Sequence, residues 1–309
     1  MKKTHYPIHS DFKRLRNLHP PLNRVLLRPL QWFLGIQFHL ERKKKELDVK
    51  RLSIPASPNP SIQALLYSPK GIDKEAPCLL YCHGGGFVLP SSFFHFYWIK
   101  KYAQDVRCHV LFIDYRLAPR YPYPAAPQDC FESYKWLLGH ASELSVDPKR
   151  IGVAGDSAGG CLAAVVTQMA KDEGIPMPCL QLLIYPATGV DRPSESMEKY
   201  VDTPMCNTRD MEKYGSYYLE KATIDRPVYL MPTTGTSFVG FPPSYVETAE
   251  FDCLRDHGIC YANNLKRDGV EVVLNNTVGT VHGFDIEIKS MIVKEAVDKR
   301  IAFLKEHFK

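Results

Sequence analysis

Short runs of apolar or alternating residues recur along this chain from residue 48 onward, and between them the apolar positions repeat every three or four residues. The short runs predict strands at 48–54, 62–67, 78–82, 109–115, 150–154, 180–185, 244–249 and 270–275. The helical period predicts helices at 94–104, 127–138, 158–171, 254–267 and 290–307. In the segment 158–171, small residues open the helix and Leu162, Val165, Val166 and Met169 form its apolar face. Strands alternating with helices build a mostly parallel central sheet flanked by helices, an α/β architecture. With 309 residues and 45% hydrophobic content, a single domain spanning 1–309 can bury a large core.

One interval breaks the alternation. Between Pro186 and Pro242 the only helical pattern is near 208–220, and a Pro/Thr/Gly/Ser-rich stretch, 231–243, follows it. Connections this long inside a compact domain serve as lids or binding elements. Residues 187–241, together with 1–45, are therefore expected to form a cap over the C-terminal edge of the sheet.

Charge changes the picture at the N-terminus. The chain is +5 overall, but residues 1–51 carry 13 Lys and Arg against 4 Asp and Glu, which leaves the remainder acidic. Two readings are open: an amphipathic helix with a solvated face, or attraction to anionic lipid, nucleic acid or an acidic partner. No nucleic-acid-binding motif accompanies the charge, so nucleic acid is not an expected partner. The apolar stretch 25–40 is interrupted by Arg28, Pro29, Gln31, Gln37 and His39, and stable membrane insertion is not expected. The first residues lack the apolar core of a signal peptide. Nine scattered cysteines with no C-x-x-C pair suit a reducing compartment, so a cytoplasmic protein without a disulfide framework or zinc site is expected.

The chemistry begins at Gly155-Asp156-Ser157-Ala158-Gly159, a G-x-S-x-G pattern with a predicted strand before it and a predicted helix after it. Glycines at the flanks let strand and helix backbones approach closely, while the serine is held on a strained turn with its hydroxyl exposed. A chance match in a Gly-rich turn is the plain alternative. His83-Gly84-Gly85-Gly86 follows the apolar strand 78–82, where backbone N–H groups free of side chains can face a developing oxyanion. A serine also needs a base and a carboxylate that orients it. Downstream, in the order Ser, Asp, His, stand Asp252 just past one strand and His282 just past the next. Taken singly, Asp252 reads as a helix N-cap and His282 as a turn residue. Asp256 reads as a surface ion-pair partner of Arg255, His257 as solvated, Asp114 and Asp129 as caps or turn residues, and Cys82 and Cys253 as buried packing. The aromatic run 93–98 reads as core packing at a helix start or as pocket lining.

Five ordered motifs, His83-Gly84-Gly85-Gly86-Phe87, Tyr115-Arg116-Leu117-Ala118-Pro119, Gly155-Asp156-Ser157-Ala158-Gly159-Gly160, Asp252-Cys253-Leu254-Arg255-Asp256 and His282-Gly283-Phe284, resemble the hormone-sensitive-lipase-like branch of the α/β-hydrolases. The resemblance spans roughly residues 75–309. It implies an α/β-hydrolase fold with a helical cap, and a serine carboxylesterase acting on short- to medium-chain acyl esters without cofactor or metal. It implies Ser157 as nucleophile, His282 as general base and acid, Asp252 as its orienting partner, and the N–H groups of Gly85, Gly86 and Ala158 as the oxyanion hole. A small-molecule ester is the expected partner, and a homodimer is compatible with the family. An acetyl-ester or amide hydrolase, or a non-catalytic small-ligand receptor on the same fold, remains open. Pro90, Arg120, Cys161, Cys253 and His257 depart from the family's usual residues without removing a catalytic atom.

Overall fold

The computed structural model describes residues 6–20, 22–41, 46–189 and 194–309. The parts of the expected cap at 1–5, 21, 42–45 and 190–193 lie outside the described residues. Eight strands, β1 (Leu47–Ala56), β2 (Asn59–Pro69), β3 (Ala76–Cys82), β4 (His109–Asp114), β5 (Val146–Asp156), β6 (Gln181–Ile184), β7 (Ser244–Phe251) and β8 (Val272–Val281), form one sheet in the order β1-β2-β4-β3-β5-β6-β7-β8. β2 pairs antiparallel with β1 and β4, and every pairing from β4 through β8 is parallel. Each predicted strand overlaps an observed one, so this is the α/β-hydrolase fold that the sequence implies.

The helices are α1 (Arg24–Leu40), α2 (Phe93–Val106), α3 (Ala125–Gly139), α4 (Ala158–Asp172), α5 (Glu195–Lys199), α6 (Thr208–Tyr218), α7 (Arg255–Arg267) and α8 (Met291–His307). α2 packs on α8 and α3 on α4. Every residue of β3 and β6 is buried, on both pleat directions, which requires helices on both faces of the sheet. Because β5, β6, β7 and β8 run parallel, their C-terminal ends share one edge of the sheet. Open α/β sheets bind ligands at that edge.

β8 runs to Val281, six residues beyond its predicted end at 275. As an edge strand it leaves Asn275 half-buried and Asn276 exposed while both pair with β7, and Thr277 beyond them is buried. The N-terminal segment does fold into a helix, α1, but its exposed face is not the polar, solvated one expected. Val25, Leu26, Trp32, Phe33 and Leu40 are on it. The insertion after β6 closes against this segment. Tyr6 donates to Asp202 (2.7 Å), Met205 N–H to the Leu18 carbonyl (2.7 Å), and Arg24 pairs with Glu220 (2.8 Å).

Behind the sheet edge lies a fully buried cation. Arg300 of α8 bonds Glu247 of β7 through two nitrogens (2.5 and 3.2 Å), Asp285 at 2.9 Å and the Tyr102 hydroxyl at 3.1 Å. Asp285 also accepts from the Tyr185 hydroxyl at 2.6 Å. Removing one member of such a cluster leaves the others buried and unpaired. Arg300→Ala is expected to lower stability by about 3–5 kcal/mol in urea unfolding. An unchanged midpoint would mean that water reaches Glu247 and Asp285 and that the cluster is not closed.

Candidate active site

The site starts from a backbone constraint at the end of β5. Ser157 has φ +55° and ψ −119°, in the left-handed region that side-chain-bearing residues avoid. Such a residue costs on the order of 1–3 kcal/mol and persists only where its surroundings hold it. Here its N–H donates to the Ile184 carbonyl (2.8 Å), while its own carbonyl accepts from Ala187 and Cys161. α4 then leaves β5 so tightly that a Cβ at Gly159 would meet the Cys82 carbonyl, and one at Gly155 would meet Gly159 itself. Only glycine allows β3, β5 and α4 to close around the serine.

Asp252 and His282 arrive at the same edge from β7 and β8. His282 Nε2 lies 2.8 Å from Ser157 Oγ, and His282 Nδ1 lies 2.8 Å from Asp252 Oδ2. Asp252 is fully buried, and its other oxygen, Oδ1, accepts the Leu254 N–H at 2.9 Å. The helix N-cap open to it from sequence falls instead on Leu254, which makes no side-chain cap, and Asp252 closes the turn before α7. Burial disfavours a charged His282 ring, but the Asp252 carboxylate outweighs this and raises its pKa to about 9. Tyr185 stands beside the ring at 4.8 Å between centroids.

The His83–Gly86 loop is held by a second carboxylate–histidine pair that sequence reasoning missed. Asp156 Oδ1 accepts the Gly84 N–H (3.1 Å) and the Tyr81 hydroxyl (2.9 Å), and Oδ2 faces His95 Nε2 at 3.2 Å. Burial opposes the charge on Asp156, and His95 with Tyr81 outweighs it, so its pKa falls below the ordinary value. His95 Nδ1 accepts the Ser92 N–H at 2.9 Å, which leaves Nε2 to carry the proton toward Asp156. The available signal was a carboxylate at the end of a buried strand, which needs partners. His83 stacks on Tyr115 (4.4 Å), whose hydroxyl donates to the His83 carbonyl (2.7 Å). Gly85 and Gly86 have φ +119° and +62°, and a Cβ at Gly86 would enter the Tyr214 ring. Among the described residues, the N–H groups of Gly85, Gly86 and Ala158 have no backbone acceptor.

Ser157 and His282 line a cavity of about 910 Å³. Its walls are apolar: Leu30 and Leu34 of α1, Phe94 of α2, and Met205, Tyr214 and Met231 of the insertion. The aromatic run divides, since Phe94 lines the cavity, Phe96 and Trp98 are buried in the core, and Phe93 and Tyr97 are exposed.

Two minor expectations need correction. His257 is not solvated: it is buried under α5, lines the cavity, and accepts the Gly189 N–H on Nδ1 (3.2 Å) while Nε2 faces the Met197 sulfur (3.3 Å). Burial pushes its pKa down to about 4 against the pull of Asp252 and Asp256, so the ring is neutral at pH 7. Asp129 is no cap: from within α3 it binds Arg116 at 2.7 Å and accepts the Arg116 N–H at 2.9 Å, fixing the turn after β4. Asp256 pairs with Arg255 as expected (2.9 Å), and Cys82 and Cys253 are buried. Among the described residues no cluster of His, Cys, Asp and Glu has the makeup of a metal site, and no helix is long and apolar enough to cross a membrane.

Known proteins share this arrangement of chain. A family model described as the alpha/beta hydrolase fold matches residues 79–286. Esterase LipI of Mycobacterium tuberculosis is 36% identical over 241 residues, 77% of this chain and 75% of that protein. Carboxylesterase NlhH of the same species is 35% identical over 265 residues, 84% of this chain and 83% of that protein. Among solved structures, a thermostable esterase from Pseudomonas putida ECU1011 superposes with a TM-score of 0.87 at 29% identity, covering 99% of both chains. With sheet order, site geometry and relatives in agreement, the chain belongs to the α/β-hydrolase family, in its hormone-sensitive-lipase-like branch, and is a carboxylic ester hydrolase.

Proposed function

We propose that the protein hydrolyses short- to medium-chain acyl esters through Ser157, His282 and Asp252 by way of an acyl-enzyme. The observation that carries this reading is the unbroken row of two 2.8 Å contacts, Ser157 Oγ to His282 Nε2 and His282 Nδ1 to Asp252 Oδ2, opening on the apolar cavity. In the proposed reaction His282 Nε2 takes the hydroxyl proton as Ser157 Oγ bonds to the ester carbonyl carbon. Negative charge moves to the carbonyl oxygen, where the N–H groups of Gly85, Gly86 and Ala158 would receive it. Each such donor typically lowers a barrier by about 3 kcal/mol. The imidazolium then protonates the departing alcohol, and a water molecule repeats the sequence to free the acid. Asp252 holds Nδ1 protonated and steadies the charged ring.

The N-terminal segment and the insertion after β6 act in this reading as the expected cap, supported by the hydrogen bonds that join them and by the residues both contribute to the cavity. A cavity of about 910 Å³ is ample for a medium-length acyl chain with its alcohol.

Replacing either reacting group should remove the chemistry and leave binding. Ser157→Ala and His282→Ala are each expected to lower turnover of p-nitrophenyl butyrate by about three orders of magnitude or more. Residual activity within tenfold of wild type in either variant would refute the assignment. A p-nitrophenyl series from acetate to palmitate should fall off at the long end, and palmitate reacting fastest would overturn the size preference.

The pH dependence follows from His282. Only the neutral ring accepts the serine proton, and its pKa is raised to about 9, so kcat/KM should climb as pH rises through that region. Asp252→Asn removes the charge that raises the pKa and leaves the burial that lowers it. The climbing limb should therefore move to lower pH while the plateau drops about a thousandfold or more. A limb that stays in place would show that another group controls the rate.

A further inference from the structure

α1 has two apolar sides, and the site uses one. Leu27 and Phe38 are buried, Leu30 and Leu34 face the cavity, and Gln31 ties the helix to the Val88 and Ala118 carbonyls at 2.7 and 2.9 Å. On the opposite side, at the helical repeat, stand Val25, Pro29, Trp32, Phe33 and Leu40. Val25 is 80% exposed, Trp32 72%, Phe33 63% and Leu40 61%. A surface helix in a water-soluble domain normally turns its polar residues to this side. A contiguous apolar stripe there, with an indole among it, is a contact surface.

Basic charge borders the stripe. Arg24 and Arg28 are exposed on its flank, and Arg28 has no ion pair among the described residues. Directly after the helix the sequence runs Glu41-Arg42-Lys43-Lys44-Lys45, four cations in succession. Glu41 is already engaged by Lys100 at 2.8 Å and Glu220 by Arg24 at 2.8 Å, so neither carboxylate is left to neutralise Arg28. We infer that the outer face of α1 docks on an anionic phospholipid bilayer, lying in the interface with Val25, Trp32, Phe33 and Leu40 among the acyl chains and Arg24 and Arg28 at the headgroups. An apolar stripe bordered by Arg24 and Arg28, in a segment whose sequence carries a further run of cations, has the chemistry of such a surface. A second copy of the chain fits less well, because a two-fold pairing of these helices would set like charges against each other. The helix lies on the bilayer and does not cross it, since no helix among the described residues is long and apolar enough to do so.

Trp32 reports directly on the contact, because Trp98 is buried and Trp136 is stacked on His140. The full-length protein would be mixed with vesicles of phosphatidylcholine alone, or of phosphatidylcholine with phosphatidylglycerol, each with and without brominated acyl chains. The expected result is co-sedimentation with the anionic vesicles, a blue-shifted emission quenched by the brominated lipid, and release at about 0.5 M salt. Trp32→Gln should abolish the quenching. Val25→Gln/Phe33→Gln should lower the vesicle-bound fraction about tenfold while leaving hydrolysis of p-nitrophenyl acetate in solution unchanged, which shows the variant to be folded. Wild-type protein that stays in solution with unquenched emission overturns the inference. So does a dimer, seen by ultracentrifugation without lipid, that Val25→Gln/Phe33→Gln dissociates, because a second copy would then own the face.

Discussion

The structure depends on how closely β3, β5 and α4 approach one another around Ser157. That approach is a steric condition before it is a chemical one: two positions with no Cβ, Gly155 and Gly159, and a serine in a left-handed conformation locked by three backbone hydrogen bonds. Once it is met, the hydroxyl stands at the sheet edge, Ala158 N–H begins a helix with no backbone acceptor among the described residues, and the His83–Gly86 loop is drawn against the same turn. The positions of β7 and β8 matter only relative to this point, since each needs to deliver one side chain to it.

Two carboxylate–histidine pairs flank the turn and behave differently because of what lies beyond each ring. Asp156 shares its charge among Gly84, Tyr81 and His95, and His95 is committed on its far nitrogen to a backbone N–H. That ring has one tautomer available and holds the loop still. His282 faces a hydroxyl on its far nitrogen, a group that can both donate and accept. Behind both, the Arg300 cluster ties α8 to β7 and, through Asp285 and Tyr185, reaches the ring of His282.

Most of this could be read from residues alone where the cause is local. The strands were legible because runs such as Leu79-Leu80-Tyr81 and Leu182-Leu183-Ile184 are buried on both faces and leave an unbroken apolar signal. Ser157, Asp252 and His282 were legible because the fold places them in a fixed order at strand ends. Pairings across long separations were not: His95 sits in an aromatic run and Asp156 beside the serine, and nothing in either neighbourhood names the other. His257 looked solvated because its environment is supplied by α5, a helix of five residues too short to leave a periodic trace. The outer face of α1 escaped notice because periodicity reports that one side is apolar and is silent when both are.

The seam between the N-terminal segment and the insertion also bears on how the molecule comes into being. The Leu18 carbonyl receives its hydrogen bond from Met205, and Leu30 and Leu34 complete a wall whose other half contains Tyr214 and Met231. At a synthesis rate of about 5–20 residues per second, the first forty residues leave the ribosome roughly ten seconds or more before their counterparts exist. During that interval Leu30 and Leu34 of α1 lack the wall that the insertion supplies opposite them. The binding cavity is therefore among the last features of the protein to form, and the half of its wall that α1 supplies waits for the half that comes from the insertion.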